Sequence, residues 1–419
     1  MRFPTLLFVL ATALPISLLS AQTNPSPKLT IQPTLAIQLW ATYTDDQQLY
    51  NNDLQDFEAV DNRLNFTLHR SRMGIKGTYG DRLFYDFTGA VDFVGQDALA
   101  GYVGAPNNTA SPRFRIWNFL TQYKISRKSE SLYWTFGYFS PLISRESITS
   151  PFAVGSFEKA WSQNYIRRHI VGTGPGRIVG SNFGGFFQND NQKLSLDYNL
   201  GLWNPRMIAI NGNSAGQRFS PLLTYRLAVH IGDAEFNKYS RGLKFNFKGQ
   251  RKGITLGISG SRQGASDQWD ENISFGLDLL ANFGTINLSS EWMQLKRDFN
   301  GLSTTSHTGF VKIGSYFKLA NGKELEPVIK YVFFEGPTDL RGQENAFSLG
   351  AFSGVDNYLE ITLNYFLAAK VKLSLAYTFR AGESGEIGPV PVNNNFYKQG
   401  GVGTIQKGDY LGFGLLFTI

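Results

Sequence analysis

Period-two alternation dominates this 419-residue chain. From Leu411 to Ile419 the sequence LGFGLLFTI puts Leu411, Phe413, Leu415, Phe417 and Ile419 on one side and Gly412, Gly414, Leu416 and Thr418 on the other. That is a β-strand with one wholly apolar face. The same phase returns at Leu194, Leu196, Tyr198, Leu200 and Leu202, with Ser195, Asp197, Asn199, Gly201 and Trp203 between them. It returns again at Ile273, Phe275, Leu277, Leu279, Ala281 and Phe283, and at Val371, Leu373, Leu375, Tyr377 and Phe379. No helical period is sustained. Further strand candidates begin near Thr34, Asn62, Leu83, Arg115, Leu132, Gly180, Leu222, Gly242, Ile254, Thr285, Thr308, Leu325 and Asn357. A chain that stops on such a strand has nothing left to cover its apolar face, so after a secretory leader the expected cover is lipid. A closed barrel then pairs every backbone group inside the bilayer. The fold class expected is all-β, a transmembrane antiparallel β-barrel.

Connection lengths set the expected orientation. Gly80-Asp81, Asn189 to Gln192, Ala320 to Lys323 and Ala368 to Lys370 read as tight periplasmic turns. Asp45 to Asp61, Gly95 to Ser111, Pro141 to Arg177, Leu295 to Ser306, Gly336 to Val355 and Ala381 to Gln406 read as long outer loops. This gives about seventeen strands, an odd number that a single-chain bacterial barrel should not have. The short-long phases read from the two ends clash between Asn204 and Gly253, which locates the error there. Sixteen strands are expected, with eighteen as the alternative. Residues 1–21 read as a signal peptide: Arg2 supplies a positive start, Leu6 to Leu19 an apolar stretch, and Ser20-Ala21 a cleavage site before Gln22. Residues 22–32 form a short N-terminal segment, and 33–419 a barrel whose long loop 141–177 folds inward.

Beyond the leader no apolar run approaches the roughly 18 residues of a membrane helix, so a helical membrane protein is excluded. The absence of cysteine removes disulfides, thiolate metal sites, cysteine nucleophiles and a lipidated cysteine. The 40 Lys plus Arg against 33 Asp plus Glu give a net charge of +7, spread along the chain and not clustered as nucleic-acid binding requires. Such a balance suits a lumen that concentrates anions, and a solvated surface nearly as well. The 34 Phe, 19 Tyr and 44 Gly fit aromatic girdles and a curved wall. His69, His169, His230 and His307 lie far apart, without metal-ligand spacing. Gly172 to Gly180, GTGPGRIVG, lacks the Lys-Ser/Thr of a phosphate-cradling loop and reads as a hinge. No motif supplies a nucleophile with a histidine partner, so neither enzyme nor cofactor is expected.

Three stretches resemble the phosphate-selective porin O and P family: Leu68 to Tyr79, LHRSRMGIKGTY; Phe136 to Ser150, FGYFSPLISRESITS; and Tyr198 to Pro205, YNLGLWNP. The resemblance implies a trimeric outer-membrane channel favouring anions such as phosphate. The chain departs from the family pattern at Ser140, where a Lys is common, at Leu142, where an aromatic is usual, and at Ile419, where Phe usually closes the chain.

A sixteen-stranded lumen is wide, so selectivity needs something that narrows it. The 37 residues from Pro141 to Arg177 are the candidate constriction. Arg145, Lys159, Arg167, Arg168 and Arg177 outnumber Glu146 and Glu158 there, and guanidinium forks suit phosphate and carboxylate oxygens. The alternative leaves these cations on a solvated outer loop, touching lipopolysaccharide phosphates. By alternation Arg63, Arg72, Lys76, Arg226, Lys244, Lys248, Lys330, Lys372 and Arg380 fall on polar strand faces as pore lining, since a cation facing lipid costs about 2–4 kcal/mol at the midplane. Asp86, Asp92, Asp278, Glu291, Glu326 and Glu360 share that interior. The expected function is passive diffusion of small solutes with anions favoured, from a homotrimer whose partners are outer-membrane lipid, lipopolysaccharide and small anions. The alternative is a plugged barrel serving as scaffold or adhesin, its outer loops, such as Ala381 to Gln406, binding partners. A fatty-acid transporter would need an N-terminal plug, and the segment before Thr34 is short.

Overall fold

The computed structural model describes residues 27–100, 112–189, 193–204 and 218–419. The signal-peptide segment 1–21, residues 22–26 of segment 22–32, part of the Gly95 to Ser111 loop, most of the Asn189 to Gln192 turn and Pro205 lie outside the described residues. Sixteen strands close into one antiparallel barrel. They are β1 (Gln32–Thr44), β2 (Arg63–Tyr79), β3 (Leu83–Val94), β4 (Arg115–Lys124), β5 (Tyr133–Phe139), β6 (Ile178–Gln188), β7 (Leu194–Trp203) and β8 (Leu222–Gly232). The second half supplies β9 (Lys252–Gln263), β10 (Glu271–Phe283), β11 (Ile286–Phe299), β12 (Leu302–Ser315), β13 (Glu324–Glu335), β14 (Val355–Ala368), β15 (Val371–Glu383) and β16 (Tyr410–Thr418). Closure falls on β1, whose Ala36 pairs with Thr418 of β16 on one edge and with Arg72 of β2 on the other.

Each strand obeys the alternation for a physical reason. Outward-facing Leu200, Leu277, Ile313, Ile329, Ile361 and Phe413 are exposed, while inward-facing Asn199, Asp278, Lys312, Lys330 and Glu360 are buried. Hydrocarbon is the solvent that favours the first set outside, and it excludes the second, by about 2–4 kcal/mol for a lysine at the midplane and less for a carboxylate. Among the described residues no helix is long and apolar enough to cross a membrane. The strands span it.

Two expectations are corrected. Gly242 to Lys248 is not a strand: it lies in the connection 233–251 between β8 and β9, on the side of the short turns. Its Leu243, Phe245 and Phe247 alternate with Lys244, Asn246 and Lys248 because the segment is wedged into the lumen. Leu243 and Phe245 are buried, Phe245 packing on Leu280 and Val328. This strand-like wedge accounts for the odd count. The stretch Leu295 to Ser306 is not a loop, because β11 and β12 stay paired up to Phe299 and Leu302. Asn300 and Gly301 turn the chain with φ of +49° and +78°, the left-handed pair that a two-residue hairpin requires.

The other long connections stand at the opposite end from the short turns. The first and last of them share a four-stranded sheet of Gln48–Asn51, Asp56–Ala59, Lys398–Gln399 and Gly403–Gln406. Residues 140–177, between β5 and β6, turn inward instead.

Candidate functional site

The inward loop carries two helices, α1 (Arg145–Ile148) and α2 (Ser162–Ile170). Ser144 caps α1, accepting from the Ser147 amide, and donates to Glu291 of β11 at 2.9 Å. The buried face of α2, with Tyr165, Ile166 and Ile170, packs on Trp203, Leu222, Met293, Leu295 and Phe334 of the wall, each side chain contributing about 1.5–3 kcal/mol. Ion pairs reinforce this contact. Arg145 reaches Asp278 of β10 and Glu235 of the 233–251 turn, both at 2.7 Å. Burial disfavours its charge, but the two carboxylates more than offset that and hold its pKa above the ordinary arginine value. Glu146 meets Lys312 at 3.3 Å, the Phe157 amide donates to Glu360 at 2.9 Å, and the Tyr165 hydroxyl donates to Asp356 at 2.6 Å. Breaking a buried pair of this kind costs about 3–5 kcal/mol. The loop is fixed to one arc of the wall.

That arc claims several of the cations expected to line a passage. Arg226 pairs with Asp278 at 2.9 Å and Asp197 at 3.2 Å, Lys330 with Glu360 at 2.8 Å, and Arg380 with Asp356 at 3.0 Å. They are buried behind the loop and act with Arg145 as struts. Lys372 is buried near the start of β15, away from the cavity. Arg63 sits at the outer end of β2, paired with Asp97 at 2.9 Å. Lys244 is exposed on the turn and belongs to no strand, and Lys248 on the same turn meets Glu324 at 2.6 Å.

Opposite this packed arc the lumen keeps a cavity of about 630 Å³. It is lined by β1 to β4, the end of β5, the inward loop, Arg241 to Leu243 of the turn, and Thr418 and Ile419. No described residue of β6 to β15 reaches it. Arg70, Arg72, Lys76, Arg115, Lys159, Arg167, Arg168, Arg177 and Arg241 face three side-chain carboxylates, Asp86, Asp92 and Glu158. Those three are already engaged: Glu158 by Arg70 at 2.6 Å, Asp92 by Arg72, and Asp86 by Lys76 and Arg241 at 3.7 and 3.9 Å. The loop cations are held by uncharged acceptors. Lys159 donates to the Ser147 and Thr149 carbonyls at 3.3 and 2.8 Å, Arg167 to the Ser147 carbonyl at 2.7 Å, Arg177 to the Pro175 carbonyl at 2.6 Å, and Arg168 to Asn164 at 3.2 Å. Carbonyl dipoles orient these charges without cancelling them. Burial, then the neighbouring Arg167, pushes the Lys159 pKa well below the usual lysine value. Burial and then Arg70 bring Arg167 down to about 10, and burial and then Arg167 depress Arg177 strongly. An arriving anion would relieve all three.

Two β-bulges shape this cavity. Arg63 and Arg72 are nine residues apart, so unbroken alternation would put them on opposite faces. Between them the pairing of β1 with β2 slips: Gln38 meets Arg70 and Leu39 meets Leu68, leaving His69 as an extra residue. His69 and Arg70 are both buried inside as a result. A second slip, with Thr88 on Asn118 and Gly89 on Ile116, leaves Trp117 extra and turns it inward beside Asn118. Bulges re-aim side chains in just this way. The Trp117 ring receives the Arg72 guanidinium at 3.6 Å and the Arg177 guanidinium at 3.3 Å from its centroid, stacking that favours a cation on the π-face. Gly176, at φ +62°, is required here, because a Cβ would stand 2.4 Å from the Arg167 side chain. The glycine-rich stretch is a packed cradle for Arg167.

Arg70, Arg115, Trp117 and Arg241 lie in the cavity although alternation did not single them out. For Arg70 and Trp117 the signal was odd spacing of outward apolar residues, Leu68 to Met73 and Ile116 to Phe119, which strict alternation forbids; Arg241 lies on a turn, where alternation gives none. Among the described residues no group of three or more His, Asp or Glu side chains is placed to hold a metal.

No protein-family model matches the sequence, and no curated protein matches it either. Solved structures do. The anion-selective porin from Comamonas acidovorans is 12% identical, with a TM-score of 0.57 over 94% of this chain and 100% of that one. The outer-membrane channel DcaP of Acinetobacter baumannii is 13% identical, with a TM-score of 0.53 over 93% and 97%. Pseudomonas putida OprB is 9% identical, with a TM-score of 0.53 over 93% and 94%. At such identities the likeness is one of fold, and the chain is a sixteen-stranded β-barrel of the outer-membrane type.

Proposed function

We propose that this protein is a passive outer-membrane porin that favours small anions, phosphate among them. The observation that carries the reading is the set of loop cations, Lys159, Arg167, Arg168 and Arg177, facing the cavity without carboxylate partners among the described residues. Arg70, Arg72, Lys76 and Arg241 extend the positive lining along β2 and the turn. Cations anchored by carbonyls offer weak, successive sites, favourable enough to admit an anion and weak enough to release it. The fold it shares with an anion-selective porin is consistent with this. Residues 1–21 would direct export, and the barrel would assemble as a homotrimer in lipid and lipopolysaccharide.

Reversal potential across a planar bilayer in a potassium chloride gradient tests the reading. The wild-type protein should prefer chloride, and Arg167→Glu with Arg168→Glu should cut the chloride-to-potassium permeability ratio several-fold. Cation preference in the wild type would end the anion claim. An unchanged ratio in the double variant would remove these two arginines from the selecting site.

A further inference from the structure

We infer that the solutes this cavity selects are organic anions, a carboxylate or phosphate group joined to an aromatic or branched apolar body, over bare inorganic ions; the inference rests on the anion reading above and names its substrate class. The cationic part is Lys159, Arg167 and Arg177, none of which has a carboxylate partner among the described residues. The apolar part adjoins it on the same loop. Ile148 stands between Ser147 and Thr149, whose carbonyls hold Lys159 and Arg167. Ile148, Pro151 and Phe152 all line the cavity and are only partly buried, so they keep apolar surface open within the lumen.

A conduit for hydrated inorganic ions gains nothing from such surface. Apolar area left in water is a standing cost that an apolar solute would remove. Volume points the same way. The cavity of about 630 Å³ lies within the roughly 300–1,000 Å³ usual for sites that enclose organic ligands. A single tetrahedral oxyanion fills a small part of it. Trp117 holds the Arg72 and Arg177 guanidiniums against its ring, which fixes the cationic part beside the apolar one. A tenfold preference corresponds to about 1.4 kcal/mol. Covering roughly 55 Å² of apolar surface supplies that at about 25 cal/mol per Å², which one ring against Phe152 and Ile148 provides.

The full-length protein in planar bilayers gives the test, with chloride current titrated by sodium benzoate, sodium acetate or inorganic phosphate. Benzoate should half-block the current at a concentration at least tenfold below acetate and phosphate. Phe152→Ser should raise the benzoate half-block concentration several-fold and leave the chloride reversal potential and the acetate titration unchanged, while Phe152→Leu should restore most of the benzoate effect. Equal half-block by all three anions would overturn the inference while the anion reading stood, as would a Phe152→Ser variant that blocks like wild type. Cation preference would take down both. The comparison of anions on the wild-type channel needs no variant to fold.

Discussion

Lys159 shows how burial and crowding change the chemistry of an ordinary side chain. Its ammonium is fully charged only below a pKa that burial and Arg167 have moved well under the usual 10.5. A lysine loses its charge as pH rises, so the lining becomes less positive on the alkaline side, and Arg167, at about 10, follows. Anion preference should therefore weaken as pH is raised from neutrality to about 10, where Arg167 loses its charge, and Lys159→Gln should reduce any loss that precedes that step. A reversal potential flat across the range would mean that neither group sets selectivity. The inward position of Lys159, Arg167, Arg168 and Arg177 was one of two readings of a long, lopsidedly charged segment, the other being a solvated outer loop. Arg70 and Trp117 were not legible, since Arg70 follows the extra residue His69 and Trp117 is itself an extra residue, and the alternation used to assign faces is broken at both places.

At the scale of elements, two segments occupy the lumen, and only one was foreseen. The 140–177 loop announces itself by length. The 233–251 turn presents a strand's pattern, because Leu243 and Phe245 bury on one side of a wedge whose Lys244 stays in water. Periodicity reports which side of a segment is dry and says nothing of what dries it. The wedge touches the loop backbone through a parallel bridge between Thr149 and Leu243, so the two obstructions form one structure. Replacing Arg241 to Asn246 by a Gly-Ser segment of equal length should raise single-channel conductance roughly 1.5- to 2-fold, as expected when one of two constricting parts is withdrawn. Unaltered conductance would place the wedge outside the conducting path.

For the molecule as a whole, lipid is the decisive solvent. Leu277 is 50% exposed at the centre of β10, beside inward-facing Asp278, which is 6% exposed. Leu277→Arg should cost about 2–4 kcal/mol of folding stability in vesicles, measured by denaturant titration. A loss under about 1 kcal/mol would show that this face meets water. Closure and the strand number were readable because a one-sided apolar strand leaves few stable architectures and because a barrel's connections must alternate in side. The position of the passage was not, since it depends on which arc the loop leans against, a matter of long-range pairs such as Glu146 with Lys312 and Arg145 with Asp278. That lean makes the bore eccentric. On the proposed reading, substitutions along β1 to β4 would retune what is admitted while β8 to β15 continue to hold the fold.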